Sequence, residues 1–130
     1  MRGETSGSVT RKHRRLDVWK DAVDLVELVY RTSASLPAEE RYGLCSQLRR
    51  AAISVPTNIA EGSARRSTRD CLRFLDIARG SLVEIETLLV IARRLGMIEG
   101  DRNLDELTER TFARLSALIR SLSRKDHQPQ

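Results

Sequence analysis

Arginine is concentrated in one stretch of the chain, between residues 41 and 79. The planar guanidinium group binds a phosphate through two parallel hydrogen bonds, and several such groups together release counterions from a nucleic acid. The group binds carboxylates equally well, so acidic helices of the same chain or an acidic partner protein are alternatives. We predict that RNA or DNA is bound here, through Arg49, Arg50, Arg65, Arg66, Arg69 and Arg73.

A second basic run, RKHRR at residues 11–15, precedes the first hydrophobic pattern. Its charge density leaves little apolar surface to bury, which favours a disordered solubilising arm. The alternative is an arm that folds against a phosphate backbone. Residues 1–15 are therefore predicted to form a disordered basic arm, in which the candidate nucleic-acid-binding residues are Arg11, Lys12, Arg14 and Arg15.

Charge alternates in blocks along the chain. The net charge of +5 is by itself a weak argument for a nucleic-acid partner. Basic blocks at 1–15, 41–79 and 110–130 are separated by acidic blocks at 16–40 and 80–109. Exposed ion pairs contribute only about 0 to 1 kcal/mol each, so stability gives little reason for so many arginines. The blocks therefore favour a binding role for the basic surface.

The side chains that carry most enzyme chemistry are missing or isolated. His13 and His127 are the two histidines and both lie in predicted tails, while Glu61 has no evident partner acid, base or metal ligand. Cys45 and Cys71 lack CxxC spacing and lie within helical patterns, which favours small buried thiols. No glycine-rich phosphate loop or nucleophile elbow is present. We expect no enzyme activity, cofactor, metal or small-molecule substrate.

The helical pattern around Pro56 is interrupted by the proline itself. Proline lacks the amide that would bond to the Ala52 carbonyl, at a cost of roughly 3 kcal/mol in a helix interior. The expected result is a kink, and the alternative is a break at which Ser54 caps a new turn. The side chains of Asn58 and Glu61 are suited to satisfy backbone groups freed there. A structural role is therefore predicted for Pro56, Asn58, Glu61 and Gly62.

Four helical segments follow from the spacing of the apolar residues. Pro37 suits the entry to the second helix, and the Gly62–Ser63 pair suits its end. Short connections favour antiparallel neighbours, so the predicted fold is all-α, an up-down-up-down four-helix bundle whose second helix is kinked near Pro56. The helices are placed at about 17–34, 37–61, 67–95 and 103–123, with the bundle over 16–123 and a frayed tail at 124–130.

The third helix has the clearest repeat. Ser67 is placed to cap it, with Asp70 at the capping-box position. Further apolar residues lie off the main seam, so this helix is either central or has a second face for a neighbouring subunit. The seam consists of Cys71, Leu75, Ala78, Leu82, Ile85, Leu89 and Ala92, and the residues off it are Leu72, Phe74, Ile77, Leu88, Val90, Ile91 and Leu95.

The first and fourth helices are each expected to bury one apolar face. In the first helix, Asp21 and most other charged residues lie off the apolar stripe and are assigned to solvent. Its predicted inward residues are Trp19, Ala22, Val23, Val26, Val29 and Tyr30. Those of the fourth helix are Leu104, Leu107, Thr111, Leu115, Leu118 and Leu122.

The composition is that of a single helical domain. With 40% hydrophobic but only 4% aromatic residues, the core must be built from Leu, Ile, Val and Ala. No apolar run approaches the roughly 20 residues that cross a membrane, and the amino terminus lacks the apolar core of a signal peptide. We therefore expect a cytoplasmic protein without membrane contact.

Several short motifs together resemble those of one family. They are Val18-Trp19 with Ala22, Tyr42-Gly43-Leu44, Gln47-Leu48-Arg49-Arg50-Ala51-Ala52, Ser54-Val55-Pro56, Asn58-Ile59-Ala60-Glu61-Gly62, Phe74-Leu75, Ile77-Ala78, Gly80-Ser81, Glu84 and Glu86-Thr87. In order and spacing they are similar to those of four-helix-bundle proteins encoded by intervening sequences in bacterial 23S ribosomal RNA genes. That family is related to the accessory protein of diversity-generating retroelements. The resemblance implies an all-helical bundle, often a ring-like pentamer, with a basic surface suited to nucleic acid and no known catalytic activity.

Two hypotheses follow. The first is a non-enzymatic homo-oligomer, a pentamer by resemblance, that binds the RNA or DNA backbone with little sequence specificity. The second is a protein-binding scaffold, in which the extra apolar face of the third helix and the basic surface dock an acidic partner protein. Competition by a nucleic-acid homopolymer separates the two.

Overall fold

The computed structural model describes residues 12–126, and these residues form helices and the turns between them. Residues 1–11 and 127–130, which hold much of the predicted arm and tail, lie outside the described part. The all-α prediction is confirmed, and each of the four predicted helices is present. They are α1 (Asp17–Ser33), α2 (Leu44–Ser63), α3 (Thr68–Arg94) and α4 (Arg102–Asp126), with short 3-10 helices at Lys12–Arg15 and Ala38–Glu40.

Helical structure extends beyond the predicted bundle at both ends. Before α1, the N–H of Leu16 donates to the His13 carbonyl at 3.0 Å, and the His13 ring meets the Trp19 ring edge-on with 5.0 Å between centroids. Lys12–Arg15, predicted as part of a disordered arm, instead forms a 3-10 helix that packs on α1 and α2. At the other end, α4 continues to Asp126, past its predicted end at about 123.

α2 begins later than predicted, at Leu44 instead of near Pro37. The 3-10 helix Ala38–Glu40 and a turn occupy the residues between. Gly43, at φ −111° and ψ −111°, lies outside the helical region and separates the two helices. The Glu40 carboxylate accepts the N–H of Leu44 at 3.1 Å, which satisfies one of the free amides at the start of α2.

The four helices pack as a closed bundle. α1 contacts α2, α2 contacts α3, α3 contacts α4, and α4 returns to α1, while the two diagonal pairs of described helices are not in close contact. The end of α2 at Gly62 meets the start of α3 at Cys71. Arg93 near the end of α3 pairs with Asp105 near the start of α4 at 3.0 Å. These contacts are those of a helix bundle, and the up-down-up-down order stays a prediction.

One aliphatic core fills the bundle. The predicted seam of α3 is buried from Leu75 to Ala92, and the predicted inward residues of α4 are buried as far as Leu115. Leu118 and Leu122, farther along α4, are only partly buried against the core. Among the residues that the structure describes, no helix is long and apolar enough to cross a membrane. The cytoplasmic location stays a prediction.

The predicted inner face of α1 is wrong in part. Val23 and Tyr30, predicted to point inward, are 39% and 37% exposed, whereas Leu25 is fully buried. Asp21, assigned to solvent, is buried as well. Two arginines of α4 bond to its carboxylate and compensate its burial. The other predicted inward residues are correct, because Ala22 and Val29 are fully buried and Trp19 and Val26 pack against the core.

α2 is continuous through Pro56, so the alternative of a break capped by Ser54 is wrong. The kink itself stays a prediction. Two side-chain hydrogen bonds span the proline. Thr57 Oγ1 donates to the Ile53 carbonyl at 2.7 Å, and Asn58 Nδ2 donates to the Ser54 carbonyl at 2.9 Å. These side-chain bonds tie together the turn from which proline removes an amide.

Candidate nucleic-acid interface

The turn between α2 and α3 holds four of the predicted nucleic-acid-binding arginines. Arg65 and Arg66 lie in the turn itself. Arg69 and Arg73 follow in the first two turns of α3. Ser67 caps α3 as predicted, because its hydroxyl accepts the N–H three residues farther on at 3.1 Å. The short, capped connection brings all four guanidinium groups to one end of the bundle.

Two of these arginines are held against the ring of Phe74. The guanidinium carbons of Arg65 and Arg73 lie 4.6 and 4.8 Å from the ring centroid, within the range of a cation–π interaction. Arg65 also pairs with Glu61 at 2.6 Å, and Arg73 pairs with Asp70 at 3.7 Å. These four charged side chains are 42–62% exposed, so the ion pairs are weak. The ring therefore orients two cations at the surface.

The other two arginines of the turn have no such partners. Arg66 and Arg69 are exposed and make no hydrogen bond or ion pair with the residues that the structure describes. Their charges are left for water and for an external anion. They are the guanidinium groups best placed to bind a phosphate, because no carboxylate of the described bundle has to be displaced first.

The 3-10 helix before α1 adds a cation to the same end. Lys12 lines a cavity together with Arg65 and Arg66. Burial raises the pKa of the Cys71 thiol, which also lines this cavity, and the nearby Lys12 ammonium opposes that rise. Lys12 therefore lies close to the α2–α3 turn, as one of the predicted binding residues. Arg11 and the side chains of Arg14 and Arg15 lie outside the described part of the chain.

α4 contributes basic residues that the sequence did not single out as binding candidates. Leu118 and Leu122 line the same cavity as the arginines of the turn, so the last turns of α4 run to this end of the bundle. The sequence signal was the basic block at 110–130, and only folding puts that block beside the α2–α3 turn. We call this surface the basic end, formed by Lys12, Arg65, Arg66, Arg69, Arg73, Arg120, Arg124 and Lys125.

Arg49 is instead engaged within the bundle. Its Nε donates to the Ser33 hydroxyl at 2.8 Å, and its Nη2 donates to the Tyr30 carbonyl at 3.3 Å. Its guanidinium carbon lies 4.4 Å from the Tyr30 ring centroid. These contacts join α2 to the last turns of α1 and occupy donors that a phosphate would need. Arg50 is exposed, about four helical turns before the α2–α3 turn.

Asn58 links α2 to α3 through a chain of polar groups. Its Nδ2 donates to both the carbonyl and the hydroxyl of Ser54, each at 2.9 Å. Ser81 of α3 donates to the same hydroxyl at 2.8 Å. Glu61, expected to satisfy a backbone group near the proline, pairs with Arg65 instead. Of the residues predicted to have a structural role, Asn58 thus joins α2 to α3, and Glu61 holds an arginine of the basic end.

Gly62 marks a close approach of α2 and α3. A Cβ atom at this position would lie 3.0 Å from the Cys71 carbonyl oxygen and 3.2 Å from the Cβ of Phe74. Both distances are shorter than ordinary van der Waals contact, so glycine lets the helices meet here without a shift. The same approach positions Phe74, and with it the two arginines that lie over its ring.

An ionic cluster that the sequence analysis missed joins α1 to α4. The buried carboxylate of Asp21 accepts hydrogen bonds from Arg114 at 2.7 Å and from Arg110 at 3.2 and 3.3 Å. The hydrogen bond to Asp21 raises the pKa of Arg110. The partners lie 89 and 93 residues apart in the chain, so no local pattern signalled the cluster.

The chemistry available at the basic end is anion binding. Within 12–126, no group of three or more His, Cys, Asp or Glu comes together as a metal site. Cys45 and Cys71 are free thiols, each partly buried. The groups that converge at the basic end are guanidinium and ammonium donors, which hold anions by charge and hydrogen bonding.

The fold and this surface define a class of protein, a small all-α four-helix bundle with cations gathered at one end. A family model described as 23S rRNA-intervening sequence protein matches residues 14–121, and the chain belongs to that family. The resemblance seen in the sequence motifs is thereby confirmed. A comparison with curated proteins finds no match.

Proposed function

We propose that this protein binds the phosphate backbone of RNA or DNA at its basic end. The observation that carries the proposal is the exposed pair Arg66 and Arg69, which has no partner among the described residues and lies beside two ring-oriented arginines. Cations gathered in this way bind a polyanion with a gain from released counterions.

Contact with the backbone is favoured over recognition of bases. Phe74 is partly buried, and two guanidinium groups lie over its ring, so it is not free to act as a stacking platform. Arginine and lysine bind phosphates regardless of the base sequence. Affinity is therefore expected to depend steeply on salt and little on sequence.

Fluorescence anisotropy with unrelated labelled duplexes and single strands of RNA and DNA, from about 50 to 200 mM salt, tests this proposal. Log K falls as log salt rises, with a slope of about −0.9 for each phosphate contact on a duplex. The double variant Arg66→Gln, Arg69→Gln loses two contacts, so its slope is expected to be shallower by about 1.8. The matched control Arg94→Gln, Arg102→Gln removes the same charge at the other end of α3 and the start of α4. It is expected to keep the wild-type slope.

Two outcomes contradict the proposal. One is the absence of binding at the lowest salt for every nucleic acid. The other is the same salt slope in the Arg66→Gln, Arg69→Gln variant as in its control. Far-UV circular dichroism of both variants verifies that the helices are intact, so that a change in affinity reports on the surface and not on unfolding.

We further propose that copies of the chain associate through the outer face of α3. This helix packs only on α2 and α4 among the described elements, so it is not central, and yet it exposes a stripe of large apolar side chains. Exposed apolar stripes of this kind mark interaction surfaces. The family resemblance implies a pentamer. The stripe consists of Ile77, Val83, Val90, Ile91 and Leu95, which are 41–62% exposed.

Native mass spectrometry tests the association directly. The double variant Val83→Glu, Val90→Glu places two charges on the stripe and is expected to give a monomer with an unchanged helical signal. The control Val23→Glu puts a charge on another exposed valine, on α1, and is expected to keep the wild-type mass. A monomeric wild type, or a double variant that assembles normally, contradicts this part of the proposal.

The same stripe favours a second candidate function, a scaffold that docks an acidic partner protein. Arg94, exposed at the end of α3, lies next in the chain to Leu95 and adds positive charge beside the apolar side chains. A folded protein that binds no nucleic acid at the lowest salt favours this candidate. Displacement of a bound partner by a nucleic-acid homopolymer favours the first. Neither candidate requires catalysis or a cofactor.

A further inference from the structure

The basic end contains a cavity of about 150 Å³. It lies where the 3-10 helix Lys12–Arg15, the α2–α3 turn and the last turns of α4 meet. Three cationic side chains stand along it, those of Lys12, Arg65 and Arg66. Its apolar walls are formed by Leu16, Leu75, Leu118 and Leu122.

The walls offer apolar surface that the bundle leaves uncovered. Leu16, Leu118 and Leu122 pack against the core but are only partly buried. Covering aliphatic surface in a concave space with another apolar group removes both from water, which lowers the free energy of the complex. An apolar cavity of about this volume in another protein holds one benzene molecule. The space therefore fits an apolar group of about six carbon atoms.

The charges along the cavity favour a ligand that carries an anionic group as well as an apolar one. The Lys12 ammonium lies close enough to Cys71 to affect the ionisation of that thiol, which places the charge at the cavity wall. Arg66 has no partner among the described residues. Among the residues that the structure describes, no aspartate or glutamate lines the cavity. An anion there is attracted by cations and meets no like charge among the lining groups.

We propose that this cavity binds an anion that carries a short aliphatic chain, with a carboxylate beside Lys12 and Arg66 and the chain between the leucines. This site goes beyond the proposed binding of nucleic acid and does not depend on it. A nucleobase fits less well, because its ring nitrogens and exocyclic groups would lose hydrogen bonds to water against leucine walls. Ser63, Ser67 and Thr68 place three hydroxyl-bearing side chains along the cavity.

A chain-length series measures the apolar half of the site without any variant. Isothermal titration of the full-length protein with acetate, butanoate, hexanoate and octanoate, at constant ionic strength, is expected to show affinity rising about fourfold per methylene. The rise is expected to level off at about six carbons, when the cavity is full. Equal affinity for acetate and hexanoate overturns the proposal. So does a rise that continues unchanged to octanoate, or tighter binding of uridine monophosphate than of hexanoate at this cavity.

A double variant measures the charged half. Lys12→Gln, Arg66→Gln is expected to weaken hexanoate about tenfold, as the loss of a charge-assisted hydrogen bond implies, and to leave the weak binding of hexan-1-ol unchanged. The control Arg94→Gln, Arg102→Gln is expected to bind hexanoate as the wild type does. Equal loss in both variants overturns the proposal.

The thiol at the cavity wall locates the ligand in the unmodified protein. Saturating hexanoate is expected to slow alkylation of Cys71 severalfold, because the chain would lie against it, and to leave the rate at Cys45 unchanged. Cys45 lies at the start of α2 and does not line the cavity. An unchanged rate at Cys71 in the presence of bound hexanoate places the ligand elsewhere and overturns the proposal.

Discussion

The guanidinium of Arg49 donates a 2.8 Å hydrogen bond from Nε to the hydroxyl of Ser33, and this contact joins the start of α2 to the end of α1. Ser33 is itself 1% exposed and donates to the Tyr30 carbonyl. Arg49 therefore completes a small, partly buried network between two helices. An arginine that the sequence suggests for phosphate binding is held instead by its own fold.

Replacing Arg49 with Gln is expected to lower the free energy of unfolding by about 1 to 3 kcal/mol, because the network loses a charged donor and the stacking on Tyr30. Its neighbour Arg50→Gln, exposed and without a partner among the described residues, is expected to stay within about 0.5 kcal/mol of the wild type. Urea unfolding followed by circular dichroism measures both. Equal stability of the two variants would falsify the structural role of Arg49.

Asp21→Asn is expected to destabilise the protein by about 1.5 to 3 kcal/mol, because the buried carboxylate accepts charged hydrogen bonds from both Arg110 and Arg114. The control Asp24→Asn changes an exposed carboxylate one turn farther along α1 and is expected to cost less than about 0.5 kcal/mol. Thermal and urea unfolding measure the difference. If the two variants are equally stable, the cluster does not hold α1 to α4.

Gly62→Ala and Gly80→Ala are expected to change stability in opposite directions. Alanine favours a helix over glycine by about 1 kcal/mol, and a Cβ at Gly80 meets nothing within 4 Å, so that variant is expected to be stabilised by up to that amount. At Gly62 the Cβ presses on the backbone of α3, and overpacking of about 1 to 3 kcal/mol exceeds the helical gain. Melting temperatures of the two variants decide this, and a stabilised Gly62→Ala would show that α3 moves aside freely.

The Cys71 thiol is expected to make the free energy of unfolding fall as the pH rises in the alkaline range. Burial raises its pKa above the ordinary value of 9.0, so the unfolded chain ionises this thiol first. The stability gained from the neutral thiol is complete below pH 9.0 and is lost as the pH rises through the folded-state pKa. Unfolding measured at about pH 8 and about pH 10 is expected to show a larger loss in the wild type than in Cys71→Ser. An equal loss of stability in the wild type and in Cys71→Ser would show that the Cys71 thiol is not the cause of the pH dependence.

Local patterns were sufficient for much of the fold. The spacing of apolar residues predicts all four helices, and the seam of α3 is buried from Leu75 to Ala92 as expected. The Ser67 cap is confirmed for the same reason, since a cap and the helix that it begins are adjacent in sequence. α2 starts late because Gly43 interrupts the pattern and Glu40 supplies the cap from a separate 3-10 helix.

Two side chains in particular could not be placed from the sequence, because their partners are distant in the chain. Asp21 was assigned to solvent because its arginine partners lie on α4. Arg49 was assigned to phosphate because Ser33 is not a recognisable partner in the sequence. The basic residues of α4 were seen as a charge block, but their place beside the α2–α3 turn depends on how four helices close into a bundle. Periodicity predicts elements and faces, while pairings across the bundle require the fold.

The basic end lies at one end of the bundle, whereas the exposed apolar stripe runs along the outer side of α3. Copies joined flank to flank about an axis parallel to the helices would therefore present every basic end in one plane. Phosphates recur along a strand, so a single nucleic acid would reach several ends, and each contact after the first becomes intramolecular. Avidity of this kind exceeds single-site affinity by about 10² to 10⁴. Under the proposed association, the few cations of one chain would suffice, because several basic ends would together supply the affinity that one end lacks.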